Sequence, residues 1–201
     1  DRQYQWVSGY SHRNRPRARG VRVTCEYAPH HLFLSTTYRP PATINCPESF
    51  FQMNPPLREA KDRDAMLAGI ADGSVDVIAT DHAPHHADEK SLEYDRAPFG
   101  ITGLETAIGL AFNELVHKGV IGLERLVELC SANPAKILGL EGRGTLKPGS
   151  IADVTVIDPS LTWTYRNADS RSKSKNSPFD GWTFQGAAVA AFVAGRLAYK
   201  R

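Results

Sequence analysis

The most constraining feature of this 201-residue sequence is a nearly continuous apolar run at residues 75–79, VDVIA, which ends in the polar sequence TDH. A strand that is apolar at consecutive positions is covered on both faces, as in a parallel sheet with helices on either side. Apolar residues recur at helical spacing over residues 57–70 before the run and over residues 104–116 after it, and each stretch precedes a glycine that can end a helix. This alternation of helix and strand predicts an α/β protein.

Shorter elements extend the same pattern. Alternating apolar residues at positions 21–25 predict a buried strand, and residues 123–130 predict a second helix after the long one. Asn133 is expected to cap a third helix, with Pro134 at its first position and Gly139 after its end. Two strand–helix units are too few to close a (β/α)₈ barrel, which takes about 250 residues, so we expect the C-terminal part of a TIM-like barrel.

The pattern changes again at residue 144. A Pro-Gly turn leads into the alternating sequence IADVTVID, and AAVAAFVAGRLAYKR predicts a closing hairpin that turns at Ala194 and Gly195. The polar sequence SRSKSKNSPFDG, residues 170–181, is predicted to be an exposed loop. We therefore divide the chain into an unassigned segment 1–19, barrel units 20–143, and part of a small β-rich domain 144–201.

Composition narrows the class of partner. The net charge is only +2 and the basic residues are scattered apart from one cluster at residues 13–19, which argues against nucleic acid. Neither a signal peptide nor an apolar run of about 18 residues is present, so no membrane association is expected. The three cysteines lack metal or redox spacing, which favours a reducing cytoplasm; they are Cys25, Cys46 and Cys130.

The sequence TDHAPHH at residues 80–86 places an acidic residue where the apolar strand stops. The carboxyl ends of barrel strands form the active-site face, so Asp81 is expected to project into a site beside His82 and His85. A carboxylate there can bind zinc and also transfer a proton. The alternative is that Asp81 caps a turn and the histidines belong to a surface loop, and the spacing alone leaves both interpretations open.

A second histidine pair lies in APHHL, residues 28–32, also just beyond a short strand. Adjacent side chains on extended backbone point in opposite directions, so we expect one of His30 and His31 to face a site and the other to pack away from it. From the chemistry of the residues alone, a structural role is favoured for either ring.

Two further motifs offer polar groups. In MNPPLR, Asn54 supplies an amide, and Arg58, expected to open the following helix, could bind a carboxylate or simply be solvated. In APFGITGLE, Gly100 and Gly103 could let backbone N–H groups approach a ligand, although glycines are common in turns.

Taken in order, these motifs resemble the bacterial dihydroorotases of the amidohydrolase superfamily. The stretches that carry the resemblance are VTCEYAPHHL, FQMNPPLRE, VIATDHAPH, APFGITGLETA, SANPAKILGL, GTLKPGSIADVTVID and AFVAGRLAY. They extend over residues 20–201, and the succession of ATDHAPH and GITGLETA favours dihydroorotase over the related allantoinases and hydantoinases.

The resemblance implies roles for individual residues. Asp81 corresponds to a metal-binding aspartate that also serves as general base and then acid. His85 and Asn54 correspond to substrate-binding residues, and the backbone at Phe99 and Gly100 is expected to contact the pyrimidine ring. Three further residues are expected to be adjacent to the site; they are His30, His31 and Arg58.

The resemblance also implies zinc, in a binuclear centre, and the interconversion of L-dihydroorotate and N-carbamoyl-L-aspartate in pyrimidine biosynthesis. The family's other metal ligands correspond to positions upstream of this sequence, or to a histidine motif expected near its start. Gln3 stands where that motif should open, and the nearby His12 lies in a basic stretch rather than an apolar strand. With Asp81 as its one dependable ligand, the chain alone is expected to be inactive, since a catalytic zinc needs about three protein ligands.

Three alternatives stay open. The chain could be a non-catalytic dihydroorotase-like scaffold, for instance a partner of aspartate transcarbamoylase, or a homodimer of that kind. It could be a related allantoinase or hydantoinase. The abrupt change of character near Arg19 also permits a truncated or frame-disrupted product.

Overall fold

The computed structural model describes residue 20, residues 23–37 and residues 46–201. Our expectations for residues 1–19, including Gln3 and His12, and for the strand start at Val21 lie outside the described residues.

Two short parallel strands form the centre of the α/β part. Strand β1 (Glu26–Tyr27) pairs with β2 (Val77–Ile78), with Glu26 opposite Val77 and Tyr27 opposite Ile78. The β2 strand lies within the apolar run, as predicted. The β1 strand lies just after the predicted residues 21–25. The Cys25 carbonyl accepts hydrogen bonds from the backbone N–H groups of Asp76 and Val77, where β2 begins.

Three hydrogen bonds fasten the amino ends of these strands, and we call them the amino-end ties. The Asp76 carboxylate accepts from the backbone N–H of Cys25 at 2.8 Å. The Arg125 guanidinium donates to the Val75 carbonyl at 2.8 Å, and the Asn133 amide donates to the Asp76 carbonyl at 2.8 Å. Two of the three ties come from helical residues later in the chain, Arg125 and Asn133. All three ties lie at the amino ends of the strands, opposite the carboxyl ends where Asp81 follows β2.

Helices pack against this pair of strands. The α-helices are α1 (Pro29–Phe33), α2 (Ala60–Ala71), α3 (Ala87–Lys90), α4 (Ala107–Ala111), α5 (Leu123–Val127) and α6 (Asn133–Ile137). Two π-helical turns, Phe112–Val116 and Glu128–Ala132, and two 3₁₀ turns, Glu48–Phe51 and Asn167–Asp169, complete the set. Among the described residues, no helix combines the length and apolar character required to span a membrane.

The predicted start of a helix at Asn133 is wrong. Asn133 does not cap a separate helix, because its backbone is helical and α5, the π turn and α6 follow one another without a break. Pro134 lacks the N–H that an uninterrupted α-helix would use. We attribute the wider π turn before it to this missing donor, and the Asn133 side chain is left to form its amino-end tie.

The β-rich part is a three-stranded antiparallel sheet in the order β3 (Val154–Thr164), β4 (Thr183–Val193) and β5 (Arg196–Lys200). The predicted hairpin turn is confirmed. Ala194 and Gly195 have φ angles of +48° and +78°, and two consecutive positive φ values characterise the turn that best fits the twist of a hairpin.

A shared apolar core joins the two parts of the chain. Phe179 and Phe184 from the β-rich part are fully buried and pack with Leu110 and Ile101 from the barrel part. A Cβ at Gly109 would lie 2.7 Å from the Phe184 ring, so α4 can approach β4 this closely only because residue 109 is glycine. The division of the chain into two domains at residue 144 therefore remains a prediction, because apolar packing is continuous between the two parts.

The loop at residues 170–181 was predicted to be exposed, and this is wrong for its second half. Residues 176–179 are buried. Phe179 supplies the apolar area that anchors the loop in the shared core, and Asn176 finds backbone partners in the barrel part. The composition of this loop indicated exposure to solvent, because Phe179 is its one large apolar residue among twelve residues.

Candidate active site

The carboxyl ends of β1 and β2 lie side by side because the strands are parallel. Asp81 follows β2 with φ of +49°, a left-handed conformation that is strained for a residue with a Cβ. Its side chain is exposed and lines a cleft of about 890 Å³. The other predicted residues in the cleft wall are His31 and Arg58.

His30 and His31 do not lie on extended backbone, because Pro29 starts helix α1 directly after Ala28. His31 lines the cleft, whereas His30 is 2% exposed and lies against His31 with ring centroids 4.3 Å apart and the ring planes tilted by 46°. The two rings therefore face different surroundings, as we expected, but helix geometry separates them instead of strand alternation.

Burial sets the charge state of both rings. It lowers the pKa of His30 well below 6.5, with His31 acting in the same direction. Burial also lowers the pKa of His31, while its hydrogen bond to Pro55 and the charge of Asp81 oppose this effect. His31 Nε2 lies 2.9 Å from the Pro55 carbonyl, which can only accept, so Nε2 carries the hydrogen and a neutral ring presents Nδ1 as an acceptor.

Arg58 lies at the cleft but does not open a helix. Helix α2 begins at Ala60, because residues 57–59 continue the extended course set by the two prolines before them. The guanidinium is 3.9 Å from the Asp62 carboxylate, a long contact between partly exposed groups. This weak pairing leaves most of the donor capacity of Arg58 available to the cleft.

His85, Phe99 and Gly100 form a second group, which we call the loop cluster. His85 Nε2 donates to the Phe99 carbonyl at 2.8 Å, and a Cβ at Gly100 would lie 2.5 Å from the Ala83 Cβ. Gly100, with φ of +106°, therefore packs tightly against the loop that follows Asp81. This explains the glycine by protein packing, without needing a ligand.

His82 takes the structural role that we left open for it. Its Nδ1 accepts hydrogen bonds from the backbone N–H groups of Gly103 and Leu104, at 3.0 and 3.3 Å. A Cβ at Gly103 would lie 2.6 Å from the Thr80 carbonyl, so this glycine also serves the close packing of two loops.

Asn54 lies between the cleft and the loop cluster. It is exposed and immediately precedes Pro55, whose carbonyl bonds to His31. Two residues earlier, the Gln52 carbonyl accepts from Gly100 N–H at 2.8 Å. The segment from Gln52 to Pro55 thus connects the two groups, and the predicted site residues lie in two adjoining places instead of one cavity.

Two buried residues at the loop cluster were not identified from the sequence. Lys90 is 1% exposed and Asn176 is 2% exposed, and both bond to the Gly100 carbonyl. Lys90 lies in the charged sequence ADEKSLE and Asn176 in a polar loop, so local composition predicts solvent for both. Only the NSPF sequence, where an apolar residue follows within a polar run, hinted that part of the loop is anchored.

Asp81 fits a single ligand position of a metal site. Its carboxylate is exposed at the cleft and a carboxylate is a suitable donor for zinc. Within residues 20, 23–37 and 46–201, however, no three histidine, cysteine, aspartate or glutamate side chains come together to hold an ion. The described residues therefore do not fit a complete metal centre.

Comparison with known proteins places this geometry in context. A family model described as "Amidohydrolase family" matches residues 17–198. The chain is 52% identical over 185 residues to a dihydroorotase from Geobacter metallireducens, and 51% identical over 183 residues to a dihydroorotase from Pelobacter propionicus. These alignments cover 92% and 91% of this chain and 42% of each relative, so the chain spans less than half the length of the curated relatives that it matches.

Solved structures agree with the α/β and β-rich parts. The L-hydantoinase (dihydropyrimidinase) from Arthrobacter aurescens superposes with a TM-score of 0.86 at 29% identity, covering 96% of this chain and 43% of that one. A D-hydantoinase (dihydropyrimidinase) from Thermus sp. gives 0.87 at 26% identity, covering 98% and 44%. The predicted fold class, part of a barrel with part of a small β-rich domain, is confirmed, and the chain belongs to the amidohydrolase family.

Proposed function

We propose that this chain provides the carboxyl-end part of the active site of a dihydroorotase, a zinc-dependent cyclic amidohydrolase of pyrimidine biosynthesis. The observation that carries the proposal is Asp81, held at the end of β2 with its carboxylate at the cleft. Identity of about half to curated dihydroorotases, over nearly the whole chain, supports the choice of substrate.

In the proposed reaction, water adds to the carbonyl carbon of the ring amide of dihydroorotate, and the ring C–N bond then breaks. Asp81 accepts the proton of the attacking water and delivers it to the departing nitrogen. Asp81 would supply one ligand to a bound zinc ion, whose charge would lower the pKa of that water and so favour its attack. Since no three suitable side chains come together among the described residues, the 201-residue chain by itself is proposed to bind zinc weakly and to lack turnover.

The loop cluster is proposed to bind the substrate ring together with Asn54. The Phe99 carbonyl and the His85 ring satisfy one another at 2.8 Å, so a ligand would exchange this bond for its own contacts. A bound anion of the substrate would find the donor capacity of Arg58 in the cleft.

A non-catalytic scaffold is the second candidate, and one observation favours it: the described residues do not make a metal site. Asp81 opposes it. A scaffold has no chemical need for a carboxylate exposed at a cleft, whereas an active site that transfers a proton does.

The decisive experiment uses a composite protein, in which residues 20–201 replace the matching part of the Geobacter metallireducens dihydroorotase. Asp81→Asn should lower kcat for dihydroorotate hydrolysis by about a hundredfold or more, because the amide cannot accept the proton. Asp88→Asn is the matched control, since its side chain is 92% exposed on nearby helix α3. Near-normal kcat in Asp81→Asn would contradict the mechanism, and an inactive parent composite would favour the scaffold.

A further inference from the structure

Four segments of the chain converge on the backbone of Phe99 and Gly100. Its N–H donates to Gln52 at 2.8 Å, and its carbonyl accepts from Lys90 Nζ at 3.1 Å and from the Asn176 amide at 3.3 Å. The preceding Phe99 carbonyl accepts from His85. The backbone that the proposed function assigns to the substrate ring is thus fixed from several sides by groups distant in sequence.

Lys90 is an unusual member of this arrangement. Its ammonium donates to three backbone carbonyls, those of Ser49 at 2.7 Å, Pro98 at 2.8 Å and Gly100 at 3.1 Å. An ammonium has three hydrogens, so these acceptors match its full donor capacity. A charged side chain that is 1% exposed costs free energy to bury unless all its donors are used. Here they connect the 3₁₀ turn of residues 48–51 to the loop at residues 98–100.

Asn176 makes the complementary connection from the β-rich part. Its Nδ2 donates to the Ala83 carbonyl at 2.9 Å as well as to Gly100, and its Oδ1 accepts from the His85 N–H at 3.4 Å. Its own carbonyl accepts from the N–H of Thr102 at 3.2 Å. One buried side chain therefore sets the spacing between the loop after Asp81 and the loop that contains Phe99.

The geometry points to Lys90 and Asn176 as positioning residues, which hold the Phe99–Gly100 backbone and His85 where they contact the substrate ring. That a substrate ring binds here rests on the proposed function. That Lys90 and Asn176 hold the Phe99–Gly100 loop in place, an arrangement we call the clamp, does not rest on it. Neither residue touches the reacting atoms, so both act through the backbone and ring that they hold. Their effect should therefore appear in substrate binding more than in the chemical step.

The kinetic test compares Lys90→Met, Lys90→Arg and Asn176→Asp in the composite protein. Methionine keeps the buried apolar stem without donors, and aspartate keeps the Oδ1 acceptor of Asn176 but loses both amide donations. We expect KM for dihydroorotate to rise about tenfold in Lys90→Met and Asn176→Asp, with kcat changed less than about threefold, and partial recovery in Lys90→Arg. Lys175→Met is the matched control, because Lys175 is exposed and donates to Ser170 in the same loop.

A second readout on the 201-residue chain is independent of activity. Amide hydrogen exchange at Gly100 should accelerate about tenfold or more in Lys90→Met and Asn176→Asp, with β3 and β4 unchanged. Unchanged exchange would overturn the clamp. A fall in kcat with unchanged KM would overturn the positioning role and indicate only lost folded protein. An inactive parent composite would overturn the proposed function and the ligand part of this inference, while exchange would still decide the clamp.

Discussion

The polar side chains around the strand ends divide by what their hydrogen-bonding atoms already contact. His82 has its Nδ1 committed to two backbone amides and so serves the fold, whereas His30 is buried and its Nε2 has no hydrogen-bond partner among the described residues. Asp81 and Asn54 remain exposed at or beside the cleft. The contacts of individual atoms, and not the motif in which a histidine occurs, therefore decide between the functional and structural interpretations.

Asn54→Ala and His85→Ala should act mainly on substrate binding. Loss of one polar contact to a bound ring costs about 1–3 kcal/mol, roughly a factor of 5 to 150, and should raise KM in the composite protein. His85→Ala should be the more damaging of the two, because it also removes the donor to the Phe99 carbonyl. Steady-state kinetics check both variants, and equal KM values for Asn54→Ala and the parent would remove Asn54 from the proposed site.

At the scale of elements, the short loops and turns carry the site while the helices support it. Helix α3 has only four residues, yet it places Lys90 under the loop cluster, with the Ser49 hydroxyl donating to the Lys90 carbonyl in return. His86 starts the helix by accepting from the Asp88 N–H at 3.2 Å. A small element thus fixes two segments, the 3₁₀ turn of residues 48–51 and the loop at residues 98–100, because its last side chain is buried and fully bonded.

The Lys90 clamp predicts a pH dependence of substrate binding. Burial lowers the pKa of the Lys90 ammonium from 10.5 to about 8, with the nearby Cys46 acting in the opposite direction. Below pH 8 the charged group has three N–H donors for three carbonyls; above it the neutral amine has two, and one carbonyl loses its partner. KM of the composite protein should therefore be flat below pH 8 and rise above it.

Lys90→Arg is the control for this profile, since arginine stays charged throughout the range. The rise in KM between pH 7 and pH 9 should be present with lysine and absent with arginine. An identical rise in both proteins would assign it to another ionising group and remove Lys90 as its cause.

Elements governed by local chemistry were predictable, and contacts between distant segments were not. The Ala194–Gly195 turn and helix α2 follow from turn residues and apolar spacing within a few positions. Asn176 meets Ala83 across 93 residues of sequence, and nothing in its neighbourhood encodes that partner. Asp81 was found because a strand end is visible in sequence, whereas Lys90 was missed because a charged helix turn is normally solvated.

At the scale of the whole molecule, the described surface leaves several large apolar side chains in solvent. Leu146 is 81% exposed and Leu138 is 70% exposed, and Val193 and Leu197 beside the closing hairpin are more than half exposed. Within residues 23–37 and 46–201, the β1–β2 sheet has two strands, and no third strand pairs with either of them. Exposed apolar area and unpaired strand edges both promote association.

The 201-residue chain should therefore self-associate when purified alone. Light scattering coupled to size exclusion should show a mass well above 22.1 kDa that falls with dilution. Leu138→Ser with Leu146→Ser should reduce association, and Leu110→Ser, at a fully buried position, serves as the contrasting variant that destabilises instead. A monodisperse monomer that unfolds cooperatively would contradict this prediction.

The amino-end ties have a consequence for how the chain tolerates variation. They fasten β1 and β2 at the edge away from Asp81, so a substitution at Asp76, Arg125 or Asn133 loosens the sheet without touching the chemistry. In a variant library scored separately for cellular abundance and for activity per molecule, these positions should reduce the first and spare the second. Substitutions at Asp81 should reduce activity per molecule and spare cellular abundance, because its strained backbone contributes little to the stability of the fold. Selection would then act on protein abundance at the amino end of β2 and on turnover at its carboxyl end.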